Sequence, residues 1–136
     1  MSSEVIEVVR EFIAAVNRRS PSDIGKLMSE DFTFIDSQGG AQTGREPMIA
    51  AWKAYFEMFP DYEICAESVI ADGGLVALFG TASGTFKGAR GLRPENRIVM
   101  PAAWKAMVRG EFVASWQVYA DWSEGMKIIE REQKKG

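Results

Sequence analysis

The 136-residue chain contains no histidine. That absence removes every Ser-His and Cys-His catalytic pair, and with it imidazole as a zinc ligand or as a general base near pH 7. Proton transfer falls instead to a carboxylate, Tyr, Lys or Cys. The single cysteine, Cys65, excludes an internal disulfide and fits a reducing compartment. No apolar run approaches the roughly 18 residues of a membrane span. The opening MSSEVIEVVREFIAAVNRR also lacks the basic start and continuous apolar stretch of a secretory leader. A cytoplasmic protein without a membrane partner is expected. Acids outnumber Lys and Arg by 19 to 16, with the basic residues scattered among them, so no nucleic-acid partner is expected. No residue cluster implies a metal or another cofactor.

What is present is core material. Hydrophobic residues make up 46% and charged residues 26% of the chain, as in one soluble globular domain over 1–136. A chain of this length buries roughly two-thirds of its unfolded surface and has room left to line a cavity.

From Glu4 to Arg19, Val5, Val9, Phe12 and Val16 recur at helical spacing opposite Glu7, Arg10, Glu11 and Arg18, which predicts an amphipathic helix. Ser20-Pro21-Ser22-Asp23 supplies a cap and a first-position proline for a short second helix. Asp31 to Asp36 reads as a strand, followed by turn residues Ser37-Gln38-Gly39-Gly40. Thr43-Gly44-Arg45-Glu46 has capping-box spacing and leads into a third helix with the stripe Met48, Trp52, Tyr55 and Phe59. That helix stops near Phe59-Pro60. Strands are then predicted over 62–71, 75–86, 98–108 and 111–121, with an irregular stretch between the second and third. Asp121-Trp122-Ser123-Glu124 repeats the capping-box spacing before a short closing helix. Three helices followed by two long hairpins predict an α+β fold, a strongly bent antiparallel sheet covered on one face by the helices.

The order and spacing of these segments resemble the nuclear transport factor 2-like superfamily, in its SnoaL-like polyketide cyclase and ketosteroid isomerase branch. VREFIAAVNRRSPSDIGKLMSEDFTFID, TGREPMIAAWKAYFEMFPDYE, GTASGTFKG, RPENRIV and FVASWQVYAD carry the resemblance. It implies a cone (a cystatin-like α+β roll), in which a curved sheet wraps the three N-terminal helices around a deep apolar pocket. It also implies a homodimer joined through the outer sheet face, and a small hydrophobic molecule as the pocket's occupant. The superfamily hosts several enzyme types and non-catalytic binding modules, so function has to come from the pocket.

Two carboxylates are candidates for catalysis. Phe32, Phe34 and Asp36 share one strand face by the period-two rule, which sets Asp36 at the end of an inward aromatic face and suits it to abstract a proton next to a carbonyl. The resemblance adds that Asp36 matches the ketosteroid isomerase general base. The other reading makes Asp36 the first residue of the turn Asp-Ser-Gln-Gly, bonded to backbone amides. The resemblance also matches Asp121 to the acid/base aspartate of SnoaL-like cyclases, but with Glu124 it fits a helix cap, which is the favoured reading.

The oxyanion donors of the isomerase do not carry over. They are a tyrosine on the first helix and a protonated aspartate on a later strand, where this chain has Phe12 and the PAAWKA segment with Ala103 and Trp104. Steroid isomerisation by that mechanism is therefore disfavoured. Limonene-epoxide-hydrolase-like members carry Trp-Arg-Asp-Tyr in the last strand, whereas this chain has Trp116-Gln117-Val118-Tyr119, which disfavours that mechanism too.

The expected pocket wall draws Phe12 and Phe34 from the first helix and strand, Trp52 and Tyr55 from the third helix, and Trp104, Trp116 and Val118 from the late strands. Alternation puts Phe112, Ala114, Trp116, Val118, Ala120 and Trp122 on the inner face of the last strand, unless a bulge shifts the register. The basic segment FKGARGLRPENR reads either as a site for an anionic substrate group or as a solvated loop. Asn96 within it is suited to a left-handed conformation. The leading expectation is a cofactor-free enzyme using carboxylate acid/base chemistry on a small hydrophobic carbonyl compound, of cyclase, isomerase or dehydratase type. A chemically inert binding or dimerisation module is the alternative.

Overall fold

The computed structural model describes residues 2–135. Its first helix, α1 (Ser2–Asn17), buries Val9, Phe12, Ile13 and Val16 along one face, as their spacing requires. The Ser20 side chain then accepts from the Asp23 backbone N–H at 3.3 Å, and Pro21 opens α2 (Pro21–Leu27). Strand β1 (Met28–Ile35) follows directly. It starts earlier than expected because Met28 and Phe32 are both drawn fully into the core.

A short strand that the apolar pattern does not announce, β2 (Ala41–Thr43), pairs antiparallel with β1. It removes the expected capping box. Thr43 lies in the strand with its hydroxyl 3.3 Å from that of Thr33, and α3 (Arg45–Met58) starts at Gly44 with no side-chain cap. Gly44 takes φ 110° and donates its N–H to the Phe32 carbonyl at 2.7 Å, a conformation open chiefly to glycine.

The chain then forms a meander of β3 (Glu63–Asp72), β4 (Leu75–Gly88), β5 (Gly91–Arg109) and β6 (Phe112–Ala120), and closes with α4 (Ser123–Lys135). The six strands make one sheet in the order β2-β1-β6-β5-β4-β3. Every pairing is antiparallel except β1 with β6, which is parallel, so the α+β fold has a mixed sheet. A parallel neighbour needs a long crossover, and here the crossover is the whole β2-to-β5 segment. Register shifts in the β1·β6, β3·β4, β4·β5 and β5·β6 ladders bend the sheet.

The stretch expected to be irregular is instead the tip of the β4–β5 hairpin, with Lys87 opposite Leu92 and Gly88 opposite Gly91. Asn96 is not left-handed. It is fully buried, donates to the Phe86 carbonyl at 3.4 Å and accepts from Arg131 of α4. Beside it Arg90 meets the buried Glu132 carboxylate at 2.7 Å, so α4 is pinned to the hairpin by polar contacts. A further correction concerns β6: the shift between Met107 and Val108 swaps its first residues, leaving Val113 buried and Phe112 42% exposed.

The core centres on Phe12, Phe32, Trp104 and Trp116. Phe12 lies 4.7 Å from the Trp116 ring and 6.1 Å from Phe32. Among the described residues no helix is long and apolar enough to cross a membrane.

Candidate functional site

Beside this core lies a cavity of about 400 Å³, toward the lower end of the roughly 300–1,000 Å³ usual for small-molecule sites. The sheet contributes Phe34 from β1 and Trp116 and Val118 from β6; α3 contributes Met48, Trp52 and Tyr55. Met126 and Ile129 of α4 close another side. Five of the expected wall residues are thus brought together.

Phe12 and Trp104 are not on the wall. Phe12 has no exposure and Trp104 only 1%, because both are covered by neighbouring rings, and neither lines this cavity. The Trp104 indole N–H has no partner among the described residues, and from this position it does not reach a ligand.

Asp36 lies at the cavity rim, one residue beyond the end of β1. The period-two argument stops at Ile35, and turn geometry takes over. Asp36 Oδ1 accepts from the Gln38 and Gly40 amides, each at 2.9 Å, and its own N–H donates to the Gly40 carbonyl. Oδ2 has no hydrogen bond among the described residues. A Cβ at Gly40 would stand 2.8 Å from Oδ2, so glycine there keeps that oxygen uncrowded. Both readings of Asp36 therefore describe part of the geometry: one oxygen holds the turn, and the other is left over at the rim.

Asp121 stands at the outer mouth with Ser37, Gln38, Ser123 and Met126. Its Oδ1 accepts from the Ser123 N–H at 3.0 Å, and the Trp122 carbonyl takes the Met126 N–H, so Asp121 acts as a capping residue for α4. The bonds from Ser123 hold its carboxyl below the ordinary range.

Tyr62 was not expected from the sequence, where it reads as the first residue of a strand. The Phe59-Pro60-Asp61 stop turns the chain back, with the Tyr62 N–H donating to the Phe59 carbonyl at 3.1 Å. Tyr62 is thereby folded against the end of α3, its ring edge-on to Tyr55 at 5.0 Å, and both rings line the cavity. Burial pushes both phenols well above their ordinary pKa, so each is neutral and able to donate. The helix-stop motif was the available signal, because it predicts a residue packed back over the helix end.

Three of the four cations of the basic segment are paired with carboxylates, and the fourth, Lys87, is exposed. Arg90 pairs with Glu132, Arg93 with Glu95 at 3.6 Å, and Arg97 with Asp61 at 3.9 Å. No group of three His, Cys, Asp or Glu side chains able to hold a metal occurs among the described residues.

Comparison with known proteins places this geometry. A ketosteroid isomerase-like fold protein from Catenulispora acidiphila, solved with trimethylamine, is 26% identical, covers 89% of this chain and 90% of its own, and superposes with a TM-score of 0.78. A candidate SnoaL-like polyketide cyclase from Jannaschia sp. CCS1 is 20% identical over 94% of this chain and 92% of its own, with a TM-score of 0.80. An epoxide hydrolase of M. tuberculosis, similar to limonene epoxide hydrolases, is 15% identical over 98% and 94%, with a TM-score of 0.78. No curated protein matches by sequence. The SnoaL-like domain profile matches residues 9–121, and the chain belongs to the SnoaL-like domain family.

Proposed function

We propose that this chain is a cofactor-free enzyme that binds a small hydrophobic carbonyl compound in the cavity and acts on it by proton transfer at Asp36, as a cyclase, isomerase or dehydratase does. The supporting observation is a cavity of about 400 Å³ with a largely aromatic and methionine-rich wall, at whose rim the Asp36 carboxylate keeps one oxygen free. The turn amides fix the carboxylate's orientation through Oδ1, and Oδ2 removes a proton next to the substrate carbonyl. Asp121, at the mouth, is the second candidate acid/base group. The protein works in the cytoplasm as a homodimer through the outer face of its sheet, where Phe79 and Tyr119 flank Ala103 across three strands.

A second reading, an inert binding module, is favoured by one observation. Asp36 is exposed and already carries two backbone hydrogen bonds, which explain its presence without catalysis.

Asp36→Asn separates the two, because the amide oxygen still accepts from Gln38 and Gly40 while the proton-accepting oxygen is lost. With any substrate found by screening polycyclic ketones, lactones and acyl-thioesters, turnover is expected to fall at least about hundredfold with binding retained. Unchanged turnover removes Asp36 from the mechanism. Ligands that bind but are never turned over by the wild type support the module.

A further inference from the structure

Seven of the twenty residues lining the large cavity are aromatic and four are methionine, while only one, Asp36 at the rim, is charged. Among the described residues no Lys or Arg lines the cavity or its outer mouth, where the one charged group is again an acid, Asp121. The space is apolar, and the only full charges beside it are negative.

Its rings wall it in more than one plane. Phe34 and Tyr55 stand at 73° and 87° to Trp52, with centroids 6.1 and 6.3 Å away, and Tyr62 stands at 84° to Tyr55 at 5.0 Å. Phe56, which is not on the wall, stacks on Trp52 at 5.5 Å, and the Trp52 indole N–H is buried without a partner, so Trp52 meets the cavity through its carbon surface. The π surface of such rings is negative and attracts a cation held within about 6 Å of a ring centroid.

Asp36 adds a full charge to this wall. Asp23, Asp31, Asp61 and Glu132 each have an arginine partner, whereas no Lys or Arg pairs with Asp36 among the described residues. Its Oδ1 is spent on the Gln38 and Gly40 amides, and Oδ2 is left over. Asp36 comes two residues after Phe34, so the two Cα atoms lie within about 7 Å of each other.

We propose that the cavity takes a hydrophobic ammonium ion: an apolar body enclosed by the wall, and a tertiary or quaternary ammonium seated at the rim against Phe34 and Trp52, with Asp36 as its counter-ion. A cation entering an apolar space loses its hydration, and here the carboxylate and the rings replace it. A carboxylate or phosphate would enter without a counter-ion and against the charge of Asp36. This inference rests on the reading of the cavity as a ligand site and goes beyond it, because it sets the ligand's charge and requires no catalysis at Asp36. A carbonyl substrate that carries such an ammonium satisfies both.

The test uses three probes of similar shape: benzyltrimethylammonium, its neutral carbon isostere neopentylbenzene, and the anion phenylacetate. Binding is followed by NMR titration at low salt to wild type, Asp36→Asn, Phe34→Leu and Gln42→Lys, the last lying across from Phe34 in the β1·β2 ladder and also lining the cavity. The wild type is expected to bind the cation about tenfold more tightly than neopentylbenzene, and phenylacetate most weakly, with the N-methyl signal moved upfield by ring currents. Asp36→Asn keeps an acceptor for the turn and Phe34→Leu keeps an apolar side chain. Each is expected to lose about three- to tenfold in cation affinity and little in hydrocarbon affinity. Gln42→Lys is expected to reverse the order of cation and anion. Equal affinity for cation and hydrocarbon in wild type, an N-methyl signal that does not move, or a cation preference that survives both Asp36→Asn and Phe34→Leu overturns the ammonium site while leaving the cavity reading intact. Failure of all three probes to bind overturns both.

Discussion

Removal of the Asp61 carboxylate tests how the loop carrying Tyr62 is held. In the β3·β4 ladder Glu63 lies opposite Ser83, and continuing that register two residues would set residue 61 opposite Thr85. The strand has ended there, and the Asp61 side chain substitutes for it. Oδ1 accepts from the Thr85 N–H and Oδ2 from the Thr85 hydroxyl, both at 2.7 Å, with Arg97 at 3.9 Å. Thr85 is only 8% exposed, so Asp61→Ala leaves a buried amide and a buried hydroxyl without partners. Hydrogen bonds to a charged group contribute roughly 1.5–3 kcal/mol each, but the Asp61 side chain is 41% exposed and solvent recovers part of the loss. The expected cost is about 2 kcal/mol, a fall in Tm of roughly 6–10 °C for a chain of this size. Asp61→Asn keeps the oxygen for the amide and offers an NH₂ to the hydroxyl, and should cost about 0.5–1 kcal/mol.

The same pair of variants gives a pH signature. Burial raises the Asp61 carboxyl, but the Thr85 bonds outweigh it, and its folded pKa lies below the ordinary value of 3.8. A group depressed on folding stabilises the protein above its unfolded pKa, and the contribution is lost as pH falls through the folded value. The gap between wild type and Asp61→Asn in urea unfolding should therefore be full at pH 7 and shrink as pH falls below 3.8 toward the folded value. A loss under 0.5 kcal/mol in Asp61→Ala, equal losses in Ala and Asn, or a gap that does not shrink as the pH is lowered would refute the account.

Two further outcomes follow from the packing. Phe12→Tyr, which restores the tyrosine of the isomerase at its matching position, should gain no isomerase activity. It should destabilise by about 1–3 kcal/mol, because Phe12 is sealed among Phe32, Trp52 and Trp116 and the hydroxyl finds no acceptor; unaltered unfolding would show that the cavity reaches it. Tyr119→Lys, on the outer face where Tyr119 is 48% exposed, should halve the sedimentation mass at micromolar concentration without altering the circular dichroism spectrum. An unchanged mass places any dimer contact elsewhere.

The elements that sequence periodicity located were those whose burial follows from their own spacing. The α1 and α3 stripes and the hairpin strands all declare an apolar face, and Ser20-Pro21 declares a helix start through local chemistry alone. What was not legible depended on distant partners. β2 exists because β1 offers an edge, and Thr43 serves that edge instead of capping α3. Asn96 and Glu132 are buried because hairpin and helix satisfy each other, a fact invisible when either segment is read by itself. Phe112 and Val113 exchanged faces through a single bulge, whose position no alternation rule gives.

The candidate site obeys the same division. Its apolar wall came from within regular elements and was largely foreseen, whereas its polar groups sit where elements end: Asp36 just after β1, Tyr62 just before β3, Asp121 just after β6. Within a strand or helix, an inward polar side chain would meet neighbours whose own hydrogen bonds are spent on the ladder or helix, and its burial would go uncompensated. At an element's end, turn amides become free to bond a carboxylate, as Gln38 and Gly40 do for Asp36 and Ser123 does for Asp121. The fold can therefore exchange polar groups at these ends without disturbing its core.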